Sequence, residues 1–405
     1  MLVLSAGVAI AGTDSGVGDG ARPGEYWLGA DISWVPQDEA RGAEYFDHGE
    51  RRDVLELLAA HGFNAIRLRV FVDPLNGYAR RSRDGVAWCG KEQTLQMARR
   101  VRAAGMALVI DFHYSDDWAD PEHQRKPAAW EGMSVDELAQ AVYDHTRDVT
   151  QALADQGTMR VMVMVGNEIT HGLLWPEGRV SSRISSGNAT TDKNNPPIGE
   201  DGLGNFDNFA RFLRAGADAV RSVDPAIRVC LHNHLGRHQE RVIEWMDQLA
   251  ARGVDYDVIG LSCYSQSAEG DWERTFAEIA RRYPEKGIVA AEYSNRKRHV
   301  NDLVFAIPGR RGWGSFIWEP TRHREAVFDR HGVNAGGEQG AMNFIGPDGF
   351  TPTPTNTTGN GDVSIAPAPA PAAPPAPRRF EPGGRYDANG FLDLYLEMAR
   401  DYRTR

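Results

Sequence analysis

Two glutamates stand where a carboxylate is costly. Glu168 comes just after the apolar run Arg160–Val165, and Glu292 directly follows Gly287–Ala291. A charge beside so much apolar chain must meet a cation, such as Arg67, or have work that uses its altered acidity. One such glutamate is explained well enough by an arginine partner. Two at one site are the equipment of general acid/base and nucleophilic chemistry. Polar groups that can orient a ligand accompany them: Arg67, His113, Asn167, His232 and Tyr264. Five tryptophans, Trp34, Trp118, Trp130, Trp175 and Trp318, lie in neighbouring segments. The faces of sugar rings are apolar C–H patches that pack on indole, so this set suits a carbohydrate. Core packing accounts for one or two of them. Trp118 and Trp175 sit in polar, Pro-containing loops, where a core role fits less well.

His232, His234 and His238 cluster, but their spacing matches no common zinc pattern. No metal ligand is assigned. A histidine hydrogen-bonded to a ligand hydroxyl is the better functional reading for His113 and His232.

These residues need a scaffold, and the periodicity supplies one. Eight apolar, β-branched runs read as strands: Trp27–Ile32, Asn64–Val70, Met106–Phe112, Arg160–Val165, Ile227–Leu231, Asp257–Leu261, Gly287–Ala291 and Gly314–Trp318. Amphipathic stretches between them read as helices: Arg52–Ala60, Glu92–Ala104, Val135–Gln156, Asn208–Ser222, Glu240–Arg252, Trp272–Tyr283 and Arg296–Ala306. Gly105 and Gly253 are suitable C-terminal stops. Repeated β-then-α units predict an α/β fold of the (β/α)8 TIM-barrel type. In such barrels the active-site groups come from the C-terminal strand ends, which is where all the candidates above fall.

The eighth helix is delayed. A Gly-rich stretch and the low-complexity run Ile365–Pro377 precede the next helical pattern, Asp387–Tyr402. The expected organisation is therefore a leader remnant and flexible lead-in (1–23), a barrel (24–345), a Gly/Ala/Pro-rich excursion (346–385) and a C-terminal helix (386–405) that completes the barrel. A barrel without that helix would leave apolar strand surface uncovered.

Composition narrows the function. The 405 residues are 41% hydrophobic and carry 45 basic against 56 acidic side chains, a net charge of -11. Such a chain gains nothing from phosphate neutralisation, so nucleic acid is not an expected partner. No apolar run reaches the ~18 residues of a membrane span. Three cysteines without C-x-x-C spacing make no disulfide framework. Cys230 and Cys263 read as buried thiols. Met1–Ala11 is apolar and ends in an A-x-A pattern, although it lacks a basic n-region; a secreted or periplasmic location is expected. A monomer is expected.

Five stretches carry a family resemblance: GADIS (29–33), NAIRLRVFVDP (64–74), DFHYSDDWADPEHQRKPAAW (111–130), VGNEITHGLLWPEG (165–178) and FIWEP (316–320). In this order they resemble the arabinogalactan endo-β-1,4-galactanases of glycoside hydrolase family 53. The resemblance implies a retaining glycosidase acting on β-1,4-galactan, with Glu168 as general acid/base and Glu292 as nucleophile. Asn167 would bond the hydroxyl beside the reacting carbon. It implies no cofactor. Some members hold a structural calcium near their last loops, for which no ligands can be mapped here. A retaining pair needs carboxyl groups about 5–5.5 Å apart, one protonated and one ionised.

Departures from the family pattern concern the sugar subsites. After strand 6 the family commonly reads S-Y-Y-P, whereas this chain has Ser262-Cys263-Tyr264-Ser265. Tyr293 directly follows Glu292, where the family has a small residue. Beyond Pro320 the likeness fades into TRHREAVFDRHGVN (321–334). Two alternatives stay open on these residues: a retaining β-glycosidase with a different or exo-type substrate, and an inactive carbohydrate-binding barrel.

Overall fold

All eight apolar runs become parallel strands of one closed barrel. In chain order they are β1 (Trp27–Asp31), β2 (Ala65–Val70), β3 (Ala107–Phe112), β4 (Met162–Met164), β5 (Arg228–Asn233), β6 (Val258–Cys263), β7 (Gly287–Tyr293) and β8 (Gly312–Trp318). Each pairs with the next, and β8 closes onto β1. The computed structural model describes residues 25–158, 161–181, 204–264, 271–323, 325–331 and 384–403. The expected leader, the Ala/Pro-rich run and Ser265 lie outside these.

Seven helices alternate with the strands: α1 (Val54–Ala60), α2 (Lys91–Ala103), α3 (Val135–Asp155), α4 (Phe206–Val223), α5 (Gln239–Ala251), α6 (Asp271–Arg282) and α7 (Lys297–Phe305). Their ends follow local chemistry. Asp53 accepts the Leu55 and Glu56 amides at the start of α1, and Ser134 and Glu137 form a reciprocal capping box on α3. Gly105 and Gly253 take the left-handed turn beyond α2 and α5, with φ of +71° and +64°. No described helix is long and apolar enough to cross a membrane.

Alternation along the strands sorts side chains into two layers. The barrel interior is plugged by Trp27, Val109, Met162, Met164, Val289 and Phe316. A larger apolar layer fills the space between strands and helices. Gly29 makes room for the plug, since a Cβ there would lie 2.3 Å from the Phe316 ring. Toward the C-terminal strand ends the lining turns polar, and Arg67, Arg69, Asp111 and His232 are all buried there.

The last helix, α8 (Gly390–Arg403), packs beside the segment after α1, against α7 and against the segment before β1. Tyr395 stacks on Phe63 (ring centroids 4.2 Å) and its hydroxyl meets that of Tyr293. Tyr402 packs on Phe305 of α7 (4.4 Å) and on Tyr26 just before β1 (5.0 Å). The helix begins later than its periodicity predicts, because Arg385–Ala388 is a strand.

That strand belongs to a sheet the periodicity does not reveal. Its order is Phe328–His331, Arg385–Ala388, Glu44–Asp47, Glu50–Arg52. Strands of only three or four residues, EYFD, ERR, FDRH and RYDA, are too short to show clear alternation. One signal was available: His48-Gly49, with φ of +48° and +83°, makes the two-residue turn typical of a hairpin. His331 pairs antiparallel with Arg385, so the chain leaves and returns at one place around residues 332–383.

Candidate active site

Arg67 organises the polar end of the barrel. Its side chain rises from β2 fully buried. Nη1 donates to Glu292 Oε1 at 2.7 Å and to Asp31 Oδ2 at 3.2 Å. Nη2 donates to Asp111 Oδ2 and to Asn167 Oδ1, both at 2.8 Å. One planar cation therefore ties together groups from β1, β3, β7 and the turn after β4.

Local backbone irregularities aim the two glutamates. In β7 the register with β6 slips: Leu261 faces Ala290, yet Ser262 faces Glu292. Strict alternation from Val289 and Ala291 would send Glu292 outward. The bulge turns it into the barrel and sends Tyr293 into the helix layer, where it meets Tyr395. The neighbouring Tyr293, a departure from the family pattern, thus stays out of the site. Glu168 sits in the left-handed region at φ 45°, ψ 45°. Such a conformation costs about 1–3 kcal/mol in a non-glycine residue. Gly166, at φ +91°, permits the tight turn before it, since a Cβ there would strike Ile169.

Ser262 at the end of β6 and Tyr264 just beyond it hold the two carboxyls. The Ser262 hydroxyl lies 2.6 Å from Glu168 Oε1, and Tyr264 donates to Glu292 Oε2 at 3.0 Å. Residues two apart on one strand face are about 6–7 Å apart. The two carboxyls are thereby brought into the same small space.

Their environments differ. Glu168 is 5% exposed, and burial, reinforced by the nearby Glu292 charge, pushes it well above the usual carboxylate range. Burial also raises Glu292, but the charge and hydrogen bond of Arg67 pull it back. A proton shared by such a pair rests on the member without the cation, Glu168. For Asp111, burial acts upward, and Arg67 with His113 overcomes it and holds the carboxyl at about 2.

The two histidines expected to meet a ligand are committed elsewhere. His113 accepts the Ala119 amide at Nδ1 (3.0 Å), so Nε2 donates to Asp111 (3.0 Å). His232 bonds Asn167 Oδ1 at Nδ1 (3.0 Å) and Ser262 at Nε2 (2.8 Å). Both side chains are buried, with no ring nitrogen left for a sugar hydroxyl. Direct ligand contact gives way to a supporting place behind the groups that face the cleft. His234 bonds Thr170. Among the described residues no group of His, Cys, Asp and Glu is arranged to hold a metal.

Three of the tryptophans converge. Trp34, Trp118 and Trp318, from the ends of β1, β3 and β8, lie edge to face with centroids 5.1–6.2 Å apart. Trp118 is half-buried. Trp175 is half-buried as well; its indole donates to the His171 carbonyl, and Arg179 lies 4.6 Å over its ring. Trp130 is a core residue beside His145.

A second buried arginine–carboxyl contact was visible in the sequence only as strand-end residues. Arg69 donates to Glu319 Oε1 at 2.7 Å, and the Trp34 amide donates to the same carboxyl at 3.1 Å. The Arg69 guanidinium lies 4.3 Å over the Trp118 ring. Burial lifts Glu319 to about 8 against the opposing charge of Arg69. Arg69 thus joins the tryptophan cluster to the strand ends.

With this geometry in place, the likeness to known proteins is specific. Residues 27–302, which include Glu168 and Glu292, match the model of glycosyl hydrolase family 53. The chain belongs to glycosyl hydrolase family 53. An arabinogalactan endo-β-1,4-galactanase of Humicola insolens is 32% identical over 331 residues, covering 73% of this chain and 89% of that one. A family 53 catalytic domain from Ignisphaera aggregans superposes with a TM-score of 0.62 at 29% identity, covering 74% of this chain and 86% of that one. A structure of fungal β-1,4-galactanases gives 0.61 at 27%, covering 73% and 90%. This family 53 barrel is a glycoside hydrolase.

Proposed function

We propose that the chain is a retaining endo-β-1,4-galactanase working by double displacement. The observation that carries this reading is the asymmetry of the two carboxyls: Arg67 and Tyr264 both donate to Glu292, while a serine hydroxyl faces Glu168. Glu292 is the carboxylate nucleophile and Glu168 the proton donor. In the first step Glu168 protonates the glycosidic oxygen while Glu292 attacks the anomeric carbon. A glycosyl ester forms and the leaving chain departs as an alcohol. In the second step Glu168, now a carboxylate, takes a proton from water. That water attacks the anomeric carbon and Glu292 leaves.

Other parts of the site serve this chemistry. Asn167, held by Arg67 and by the Ala119 carbonyl, presents its amide beside Glu168 for the hydroxyl next to the reacting carbon. Trp118 and Trp318 offer indole surface for galactose rings. Galactan as substrate is supported by the named galactanase relative and by the neutral sugar chain's indifference to an acidic protein. Chain Arg385–Arg403 is read as the returning end of the same domain, completing the barrel, and the enzyme as a secreted monomer.

The test is a product profile. Wild type and Glu292→Gln are incubated with linear β-1,4-galactan and a panel of other β-glycans, and products are separated by chromatography. Short galactooligosaccharides from wild type alone support the reading. Cleavage of a different glycan alone would keep the chemistry and overturn the substrate. Binding without cleavage would favour a carbohydrate-binding barrel.

A further inference from the structure

We propose that His232, acting through the Ser262 hydroxyl, is a positioning residue that holds the resting proton on Glu168. This rests on the reading of Glu168 as the acid/base.

One chain of contacts fixes where the hydrogens lie. At its start is Asn167, whose amide orientation is unambiguous. Its Nδ2 donates to the Ala119 carbonyl at 2.8 Å, and its Oδ1 accepts from Arg67 Nη2 at 2.8 Å. A carbonyl only accepts and a guanidinium only donates, so a flipped amide would put like against like at both ends. The atom facing His232 Nδ1 at 3.0 Å is therefore an acceptor, and Nδ1 must carry a hydrogen.

His232 is fully buried, and burial together with the Arg67 charge holds its basicity well below that of an ordinary imidazole. The ring is neutral, with its hydrogen on Nδ1 and a lone pair on Nε2. Ser262 Oγ lies 2.8 Å from that lone pair. The serine hydrogen is thus drawn to His232. Serine has only one hydrogen, so Oγ turns lone pairs toward Glu168 Oε1, 2.6 Å away. Two acceptors do not meet at that distance, and the hydrogen between them belongs to Glu168.

The chain also has a direction. When Glu168 gives up its proton, the serine hydroxyl must swing to the new carboxylate, and His232 Nε2 is left facing a lone pair. A buried acceptor without its donor costs about 1–3 kcal/mol. The protonated acid is favoured at rest, and its recovery from water in the second step is favoured too. The charged and titratable groups facing Glu168 are Glu292, Asp120 and Arg67; those facing His232 are Arg67, Asp111 and His113. None of them supplies a hydrogen to Nε2 in place of the serine.

Two measurements test the assignment. The first uses unmodified protein: two-bond proton–nitrogen correlation of the histidine rings, with the His232 signals assigned by their loss in His232→Gln. A neutral Nδ1–H tautomer from pH 5 to 8 is expected. An Nε2–H tautomer or an imidazolium overturns the proposal. The second is the pH profile of kcat/KM on galactan. In His232→Phe no acceptor competes for the serine hydrogen, the ionised Glu168 gains a donor at no cost, and the alkaline limb moves about one unit to lower pH. In His232→Gln, whose amide can accept from Ser262, the limb returns toward wild type. A purely structural role would lower kcat without moving the limb, and an unmoved limb in His232→Phe overturns the proposal. Glu168→Gln separates the parent reading. Full activity in that variant would overturn Glu168 as the acid, whereas a wrong tautomer or an unmoved limb would overturn His232 alone.

Discussion

Arg67 and Glu292 come from β2 and β7, across the barrel mouth from each other, and meet at 2.7 Å. The same guanidinium also serves Asp31, Asp111 and Asn167. Three carboxylates around one cation are stable only while the cation is in place. Removing one partner from a buried ionic network costs about 3–5 kcal/mol. Arg67→Met is therefore expected to lower unfolding stability by that order and to abolish activity. Arg67→Lys keeps the charge but cannot reach four acceptors in one plane, and should fall between the two. Denaturant unfolding and initial rates on galactan check both.

Tyr264 tests the nucleophile's environment. Its hydroxyl donates to Glu292 Oε2 and thereby favours the ionised form. In Tyr264→Phe, Glu292 is expected to hold its proton to higher pH. The acid limb of kcat/KM then moves up by about one unit, equivalent to about 1.4 kcal/mol. The alkaline limb stays where it is. A pH profile of the variant decides this, and an unmoved acid limb would count against Glu292 as the nucleophile.

Glu319 carries a pH-dependent term in stability. Its folded value is raised from 4.5 to about 8, first by burial. A raised value means that the folded state holds a proton the unfolded chain has already released. The stabilisation is complete below pH 4.5 and is lost as pH rises through about 8. Glu319→Gln cannot titrate. Between pH 5 and pH 9 the wild type should lose more in Tm than the variant does, after the shared pH dependence is subtracted. Parallel changes in the two proteins would contradict this account of Glu319.

The C-terminal helix gives a mechanical prediction. Tyr395 is fully buried against Phe63 and Tyr293. Replacing a buried aromatic by alanine costs about 3–5 kcal/mol. If α8 completes the barrel, Tyr395→Ala lowers the single cooperative transition by that amount. An appended helix would melt separately and leave the main transition unchanged. Circular dichroism at several wavelengths distinguishes the two.

Much of this is legible in the amino-acid sequence. Apolar runs covered on both faces are the signature of parallel barrel strands, so all eight were readable to within one or two residues at most ends. Glu168, Glu292, Arg67, Asn167 and Tyr264 were readable because strand ends in such barrels point into the site. The remainder depended on pairings between distant segments. His113 and His232 look like ligand donors in sequence, and only three-dimensional packing shows both ring nitrogens taken. Strict alternation would have misdirected Glu292, since the β7 bulge leaves no mark in the run GIVAAEY. Ser262 and Glu319 carried no signal beyond position, because their importance comes from what lies opposite them. The small sheet joining Glu44–Arg52 to Arg385–Ala388 requires partners more than 300 residues apart, which local patterning cannot supply.

The most direct test of the central claim is the configuration of the first product. Wild-type protein is mixed with linear β-1,4-galactan, and the anomeric protons of the new reducing ends are followed by nuclear magnetic resonance before mutarotation. Double displacement through Glu292 predicts that β-configured ends appear first, with α appearing only by later equilibration, and that Glu292→Gln releases neither. Ends that are α from the first spectrum would contradict it, because they require water, and not Glu292, to attack the anomeric carbon directly.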